Sequence, residues 1–209
     1  MRKKVLVLAP HTDDVELGCG GYVAKLIEEK NDVYYVAFSI CENAITSGFP
    51  ENILEIEVKK STKILGIPEK NLFVYKFEVR QFPKFRQDIL ETLISCRNKL
   101  RPDLVLMPSR NDLHQDHSTL ANEGLRAFKG TTLLSYEIPW NNISFDTEAF
   151  VPLKKRHIEK KIKALSQYKS QAFRGYANKE FVYSLAKTRG FQIEKPFAEA
   201  FEVVRWIVK

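Results

Sequence analysis

Along the chain, short and nearly continuous apolar runs alternate with stretches whose apolar residues recur every three to four positions. Runs of the first kind suit strands buried on both faces, and stretches of the second suit helices that turn one stripe toward a core. The runs predict strands over residues 4–9, 33–39, 72–77, 104–107, 133–137 and 200–208. The recurring spacing predicts helices through Val23 and Ile27, through Leu54, Val58, Ser61 and Leu65, and through Ile89, Leu93, Cys96 and Leu100. Gly66 with Pro68 stops the second of these, and Arg101-Pro102-Asp103 separates the third from its strand. A further helix begins at Asp116 or soon after and reaches about Phe128, and another carries Ile158, Ile162, Leu165 and Tyr168. Residues 138–152, with Pro139, Asn141, Asn142 and Ser144, read as a long loop, and residues 170–176 as an irregular connection. Strand and helix alternate with short links, which predicts an α/β fold: a mostly parallel sheet with helices on both faces.

Composition narrows the class. A chain of 209 residues, 44% apolar and 11% aromatic, can bury a substantial core, and no repeat, low-complexity tract or linker divides it. The N-terminus, Met1-Arg2-Lys3-Lys4, is basic, but the apolar stretch behind it stops at Ala9 and runs into His11, Asp13 and Asp14, unlike a signal peptide. No later apolar run approaches the roughly 20 residues of a membrane span, so no integral membrane segment is expected. Cys19, Cys41 and Cys96 are odd in number and far apart, which fits a reducing compartment and a cytoplasmic protein. The net charge of +7 admits nucleic acid as a partner, yet the basic residues are spread out except in Lys154-Lys155-Arg156 and Lys160-Lys161-Lys163. Those read as a solvated helix face, with attraction of a negatively charged small substrate as the other reading. No specific nucleic-acid partner is expected, and a homo-oligomer is compatible with the sequence.

Three of the four histidines fall in two clusters, His11-Thr12-Asp13-Asp14 after the first strand and His114-Gln115-Asp116-His117 after the fourth. Ligands of open α/β sheets gather at the carboxyl ends of strands, where the segments after Ser39 and Glu137 also arrive. Imidazole and carboxylate are the donors a divalent ion such as zinc takes where no thiolate site is offered. Three protein ligands beside an open position form the hydrolytic arrangement. His11 and Asp14, like His114 and His117, are spaced to lie on one side of a turn. One of the second pair completes a three-ligand site, and the other is free to act on substrate. Asp13 and Asp116 are candidates for a base and an orienting carboxylate. An ion so placed lowers the pKa of bound water from 15.7 to roughly 7, and a nearby carboxylate takes its proton. An imidazolium, kept protonated by an aspartate, would stabilise the developing oxyanion.

Each cluster taken alone reads equally well as a capped helix start; their joint position at strand ends of one sheet favours a site. Gly18-Cys19-Gly20-Gly21 lacks dinucleotide-loop spacing and reads as close helix packing. His157 reads as a surface residue of a Lys-rich helix, and Cys41 as a structural thiol. Trp140, Phe145 and Tyr136 read evenly as a sugar-stacking group or as packing anchors.

The two motifs carry a resemblance. Ala9-Pro10-His11-Thr12-Asp13-Asp14, continued by Glu16-Leu17-Gly18-Cys19-Gly20-Gly21, and Asn111-Asp112-Leu113-His114-Gln115-Asp116-His117 resemble the PIG-L (LmbE-like) metal-dependent N-deacetylases. These enzymes remove acetyl from N-acetylglucosamine derivatives and related amides. The likeness covers nearly the whole chain, with weaker matches at Glu57, Glu137, Lys161 and Tyr168-Lys169-Ser170-Gln171. It implies one LmbE-like domain over residues 1–209, built as a Rossmann-like three-layer sandwich. It also implies zinc, or another divalent transition metal, on His11, Asp14 and His117, with Asp13 as base. His114 would stabilise the oxyanion or protonate the leaving amine, with Asp116 holding it. The implied substrate is a small N-acetylated sugar or sugar conjugate. A different N-acyl amide is the alternative, and a non-catalytic sugar or nucleic-acid binding module the reading from another class. Two departures stand out: Thr12 replaces the usual proline, and Leu54 stands where many members carry a substrate-binding arginine. Arg80 and Arg86 are candidates to receive an anionic group instead.

Overall fold

The computed structural model describes residues 2–45, 48–175 and 178–208. Its strands are β1 (Lys4–His11), β2 (Asp32–Ser39), β3 (Leu72–Val74), β4 (Leu104–Pro108), β5 (Thr132–Tyr136), β6 (Ala149–Leu153) and β7 (Phe197–Arg205). They form one sheet in the order β3-β2-β1-β4-β5-β7-β6, parallel from β3 to β5, with β7 antiparallel to both of its neighbours. The helices are α1 (Asp14–Glu28), α2 (Ile53–Leu65), α3 (Arg86–Leu100), α4 (Gln115–Ala127), α5 (Lys155–Leu165) and α6 (Lys179–Phe191).

β1 shows why its sequence has no alternation. Val5, Val7 and Ala9 share a core with residues of α1, α2, α5 and α6, whereas Leu6 and Leu8 share one with α3 and α4. Both faces of the strand are covered, so every side chain from Val5 to Ala9 is apolar and fully buried. β1 leads outward to β2 and β3, and β4 leads the other way to β5. The connections therefore diverge above the carboxyl ends of β1 and β4, the switch point at which such sheets open a crevice.

Residues 138–152 are not loop throughout, because β6 begins within them and pairs with β7 at the sheet's edge. Its Pro152 is admissible there, since an edge strand has one row of amides to spare. β7 begins and ends three residues earlier than the apolar run suggests. β3 is also shorter, although the amides of Tyr75 and Phe77 still bond to β2 carbonyls. Of the expected irregular stretch, Lys169–Gln171 form a 3-10 turn and Tyr176 lies outside the described residues.

The glycine cluster serves helix packing, as its spacing suggests. A Cβ at Gly18 would lie 2.2 Å from the ring of Tyr136. At Cys19 α1 leaves helical geometry (φ −142°, ψ 23°), and Glu199 of β7 accepts the amides of Gly21 and Tyr22 at 2.9 and 2.7 Å. Lys161 of α5 balances that carboxylate at 2.8 Å and is itself buried, as is His157, whose Nε2 lies 3.1 Å from Glu28. Neither belongs to a solvated face, because α5 packs along α1 with these two residues in the contact. No described helix is long and apolar enough to cross a membrane.

Candidate metal centre

The turn between β1 and α1 is held from beneath. The Thr12 carbonyl lies 2.7 Å from the Tyr35 hydroxyl and 2.5 Å from that of Tyr168, and the Glu16 carboxyl receives Ser61 and Tyr35. Burial pushes the Glu16 carboxyl up to about 7, although the Ser61 and Tyr35 hydroxyls stabilise its charged form. This network fixes the turn through the Thr12 carbonyl, while the buried Thr12 hydroxyl has no hydrogen-bond partner among the described residues. His11 and Asp14 then emerge side by side, with the His11 amide donating to Asp14 Oδ2 at 2.7 Å.

The second cluster meets them from α4. His11 Nδ1 and His117 Nε2 are 3.2 Å apart, and Asp14 Oδ2 lies 3.3 Å from the first and 3.2 Å from the second. Two further carboxylates decide which nitrogens carry protons. Asp116 Oδ2 is 3.0 Å from His11 Nε2, and Asp112 Oδ2 is 2.7 Å from His117 Nδ1. A carboxylate can only accept, so both outer nitrogens carry hydrogen, and the two inner ones present lone pairs when the rings are neutral. In that state three acceptors converge with no donor between them. Their separations match the edge of about 3.3 Å that tetrahedral zinc imposes on nitrogen and oxygen ligands at about 2.0 Å. The donor set fits a divalent cation. Burial works against charge on His117, but the Asp14 and Asp112 charges overcome it and push the imidazole up to about 10. His11 is raised against its own burial by Asp14 and Asp116. The site draws positive charge.

His114 stands beside this triangle, with nitrogens of His11, His114 and His117 all within 4.8 Å of one another. Its partner differs from the expected one. The Asp116 carboxylate is engaged by His11 and by the amides of Arg80 and Phe82, at 2.6 and 3.2 Å, and does not hold the His114 ring. What His114 receives is the Asp116 amide, donated to Nδ1 at 3.2 Å. Burial, with the neighbouring His11 and His117, pushes His114 down to about 4. An imidazolium there is therefore replaced by a neutral ring with its proton on Nε2. Asp13 is half-buried; its carboxyl is pushed up to about 6 by burial and by the Asp14 charge, while His11 and Arg174 pull it back.

These groups open into a cavity of about 470 Å³. Cys41, Arg80 and Trp140 reach it from the segments after β2, β3 and β5, and Gln171 and Arg174 from the turn after α5. Tyr136 is a packing anchor, buried with its hydroxyl on the Leu8 carbonyl, while Trp140 lines the cavity. Burial and the Asp13 charge push the Cys41 thiol up to about 12, which removes it as a nucleophile at neutral pH. Asp112, to which the second motif attaches no role, is the residue that orients His117.

Residues 6–128, which carry both clusters and β2 to β4, match the family described as GlcNAc-PI de-N-acetylase, PIG-L. The chain belongs to the PIG-L family. This PIG-L chain is similar to the uncharacterized deacetylase YaiS of Escherichia coli, 28% identical over 177 residues that cover 81% of this chain and 92% of YaiS. Diacetylchitobiose deacetylase of Thermococcus kodakarensis is 31% identical over 134 residues, 60% of this chain and 49% of that protein. The solved N,N'-diacetylchitobiose deacetylase from Pyrococcus horikoshii shares the fold, with a TM-score of 0.81 at 20% identity over 97% of this chain and 84% of that one. So does GalB, the 4-carboxy-2-hydroxymuconate hydratase of Pseudomonas putida, with a TM-score of 0.80 at 20% identity over 99% and 98%. Because a hydratase shares the architecture, the reaction has to be argued from the site.

Proposed function

We propose that this PIG-L protein is a zinc-dependent N-deacetylase that hydrolyses the acetyl amide of an amino sugar or its conjugate to acetate and a free amine. The observation that carries this reading is the convergence of three lone pairs from His11, Asp14 and His117 beside a half-buried Asp13. When bound there, a divalent ion supplies Lewis-acid polarisation of the acyl oxygen and acidification of water. Asp13 takes the proton of the attacking water, and a carboxyl pushed up to about 6 is a base matched to neutral pH. Neutral His114 donates Nε2–H to the oxygen on which charge develops. Asp13 then returns its proton to the departing nitrogen, so that water and amide become acetate and amine. Leu17, Leu54 and Trp140 give the cavity the apolar surface on which a sugar ring packs. Cys19, Cys41 and Cys96 are free thiols, which supports a reducing compartment such as the cytoplasm.

The test is metal content together with acetate release from N-acetylglucosamine derivatives. Asp13→Asn should keep bound metal and lose about 10²–10⁴-fold in kcat, the usual worth of a general base. His117→Ala should lose metal and turnover together. Undiminished acetate release by Asp13→Asn, or by protein stripped of metal, would overturn the assignment.

A further inference from the structure

The segment that follows α5 is pinned at three points, and the hydrolysis described above uses none of its side chains. The Tyr168 hydroxyl lies 2.5 Å from the Thr12 carbonyl, in the turn that carries Asp13 and Asp14. Two residues on, Ser170 is clasped by Glu57 of α2, whose Oε1 accepts the amide at 3.0 Å and whose Oε2 accepts the hydroxyl at 2.5 Å. The Gln171 amide closes the 3-10 turn onto the Tyr168 carbonyl at 3.0 Å. Gln171 is only 6% exposed, and it lines the cavity together with His11 and Asp13. Two elements remote in sequence thus hold its backbone relative to the proposed base, and a side chain supported in this way is pre-organised to meet a ligand.

Which end of the Gln171 side chain faces the cavity follows from its neighbour. An ionised Glu57 only accepts, so the Ser170 hydroxyl directs its one hydrogen there and offers the next group a lone pair. Gln171 therefore turns its NH2 group toward Ser170, with Nε2 3.3 Å from Oγ. Its oxygen is left over. No described group donates to Gln171 Oε1, yet that atom is not among the buried side-chain atoms that lack a partner, so it is open, and the opening it meets is the cavity. A fixed amide oxygen attracts an O–H and repels an anionic oxygen. Once a ligand has displaced the water around it, a ligand with no donor at that place leaves the acceptor unmet, which is how a site built for a hydroxyl rejects the analogue that lacks it.

We propose that Gln171 determines specificity by accepting, through Oε1, a hydrogen bond from one hydroxyl of the N-acetylated substrate. The inference rests on the deacetylase reading above and names the substrate feature that is read. The experiment measures acetate release by the zinc-loaded full chain and by Q171L from N-acetylglucosamine and its 3-deoxy, 4-deoxy and 6-deoxy analogues. In the parent, kcat/KM for one of the deoxy sugars should be lower than for the complete sugar by about tenfold. Q171L should keep its zinc, lose a similar factor on the complete sugar, chiefly through KM, and no longer tell that analogue from it. A role in folding alone would lower activity on all four sugars alike and leave their ratios intact. S170A, which frees the amide to rotate, should shrink the ratio, and where Q171L does not fold, an unchanged ratio in S170A overturns the assignment. Equal kcat/KM for all four sugars in the parent, or a ratio that survives in Q171L, overturns it too and leaves the deacetylase reading standing. Acetate from none of the four strikes the deacetylase reading, and calorimetric titration with glucosamine and its three deoxy analogues then decides. Weaker binding of one deoxy sugar that Q171L makes equal supports the assignment, and equal or absent binding overturns it.

Discussion

Asp112 and Asp116 stand one hydrogen bond behind the lone pairs that would meet an ion, and each fixes the tautomer of one imidazole. Asparagine at position 112 can still accept from His117 but brings no charge, so Asp112→Asn should weaken zinc binding about 10–100-fold, read by competition with a chromophoric chelator. Affinity equal to the parent's would show that the carboxylate charge is irrelevant. The histidines and Asp14 were legible because their spacing after two strands is a local property. Which aspartate serves which histidine was not. Asp116 is two residues from His114, yet its oxygens turn to the Arg80 and Phe82 amides and to a ring 105 positions away. Asp112 lies five residues before His117, and only the folded turn between β4 and α4 brings its carboxylate onto that ring.

Among the elements, α1, α5 and β7 meet at the buried Lys161–Glu199 pair, and the kink at Cys19 makes that pair necessary. Without Lys161 the Glu199 carboxylate would keep two backbone amides and lose its counter-charge in an apolar setting. Lys161→Met should therefore cost about 3–5 kcal/mol in urea unfolding, the usual penalty for stranding one member of a buried pair. Lys161→Met combined with Glu199→Gln should be less damaged than Lys161→Met alone, and additive losses would contradict the pairing. Strands of the parallel sheet were legible as apolar runs because both of their faces are covered. β6 was not, since an edge strand with one exposed side and Pro152 resembles the turn formers before it. Lys161 and His157 looked like solvent-facing residues because nothing within α5 reports that α1 lies against it; the polarity of a lysine-rich helix masks two inward positions.

For the whole molecule, the centre concentrates Asp13, Asp14, Asp112 and Asp116 in a protein whose net charge is +7. Without a cation, Asp14 and Asp112 raise His117 against the cost of its burial, so a proton occupies the place an ion would take. An ion there would join the end of β1 to the start of α4, two segments about a hundred residues apart in the chain. A ligand present at about 100 times its Kd stabilises the folded state by about 2.7 kcal/mol. In a chain of this size that corresponds to a Tm increase of about 5–10 °C over protein treated with a chelator. The sign with pH follows from competition: His11 and His117, both raised, must give up their protons to bind, so the increase should be larger at pH 8 than at pH 5. Scanning calorimetry of zinc-loaded and stripped protein at both pH values reads this directly. Equal Tm values for the two forms at pH 8, or a gain that grows as the pH falls, would mean that no ion couples the two clusters, and the hydrolytic reading would lose its support.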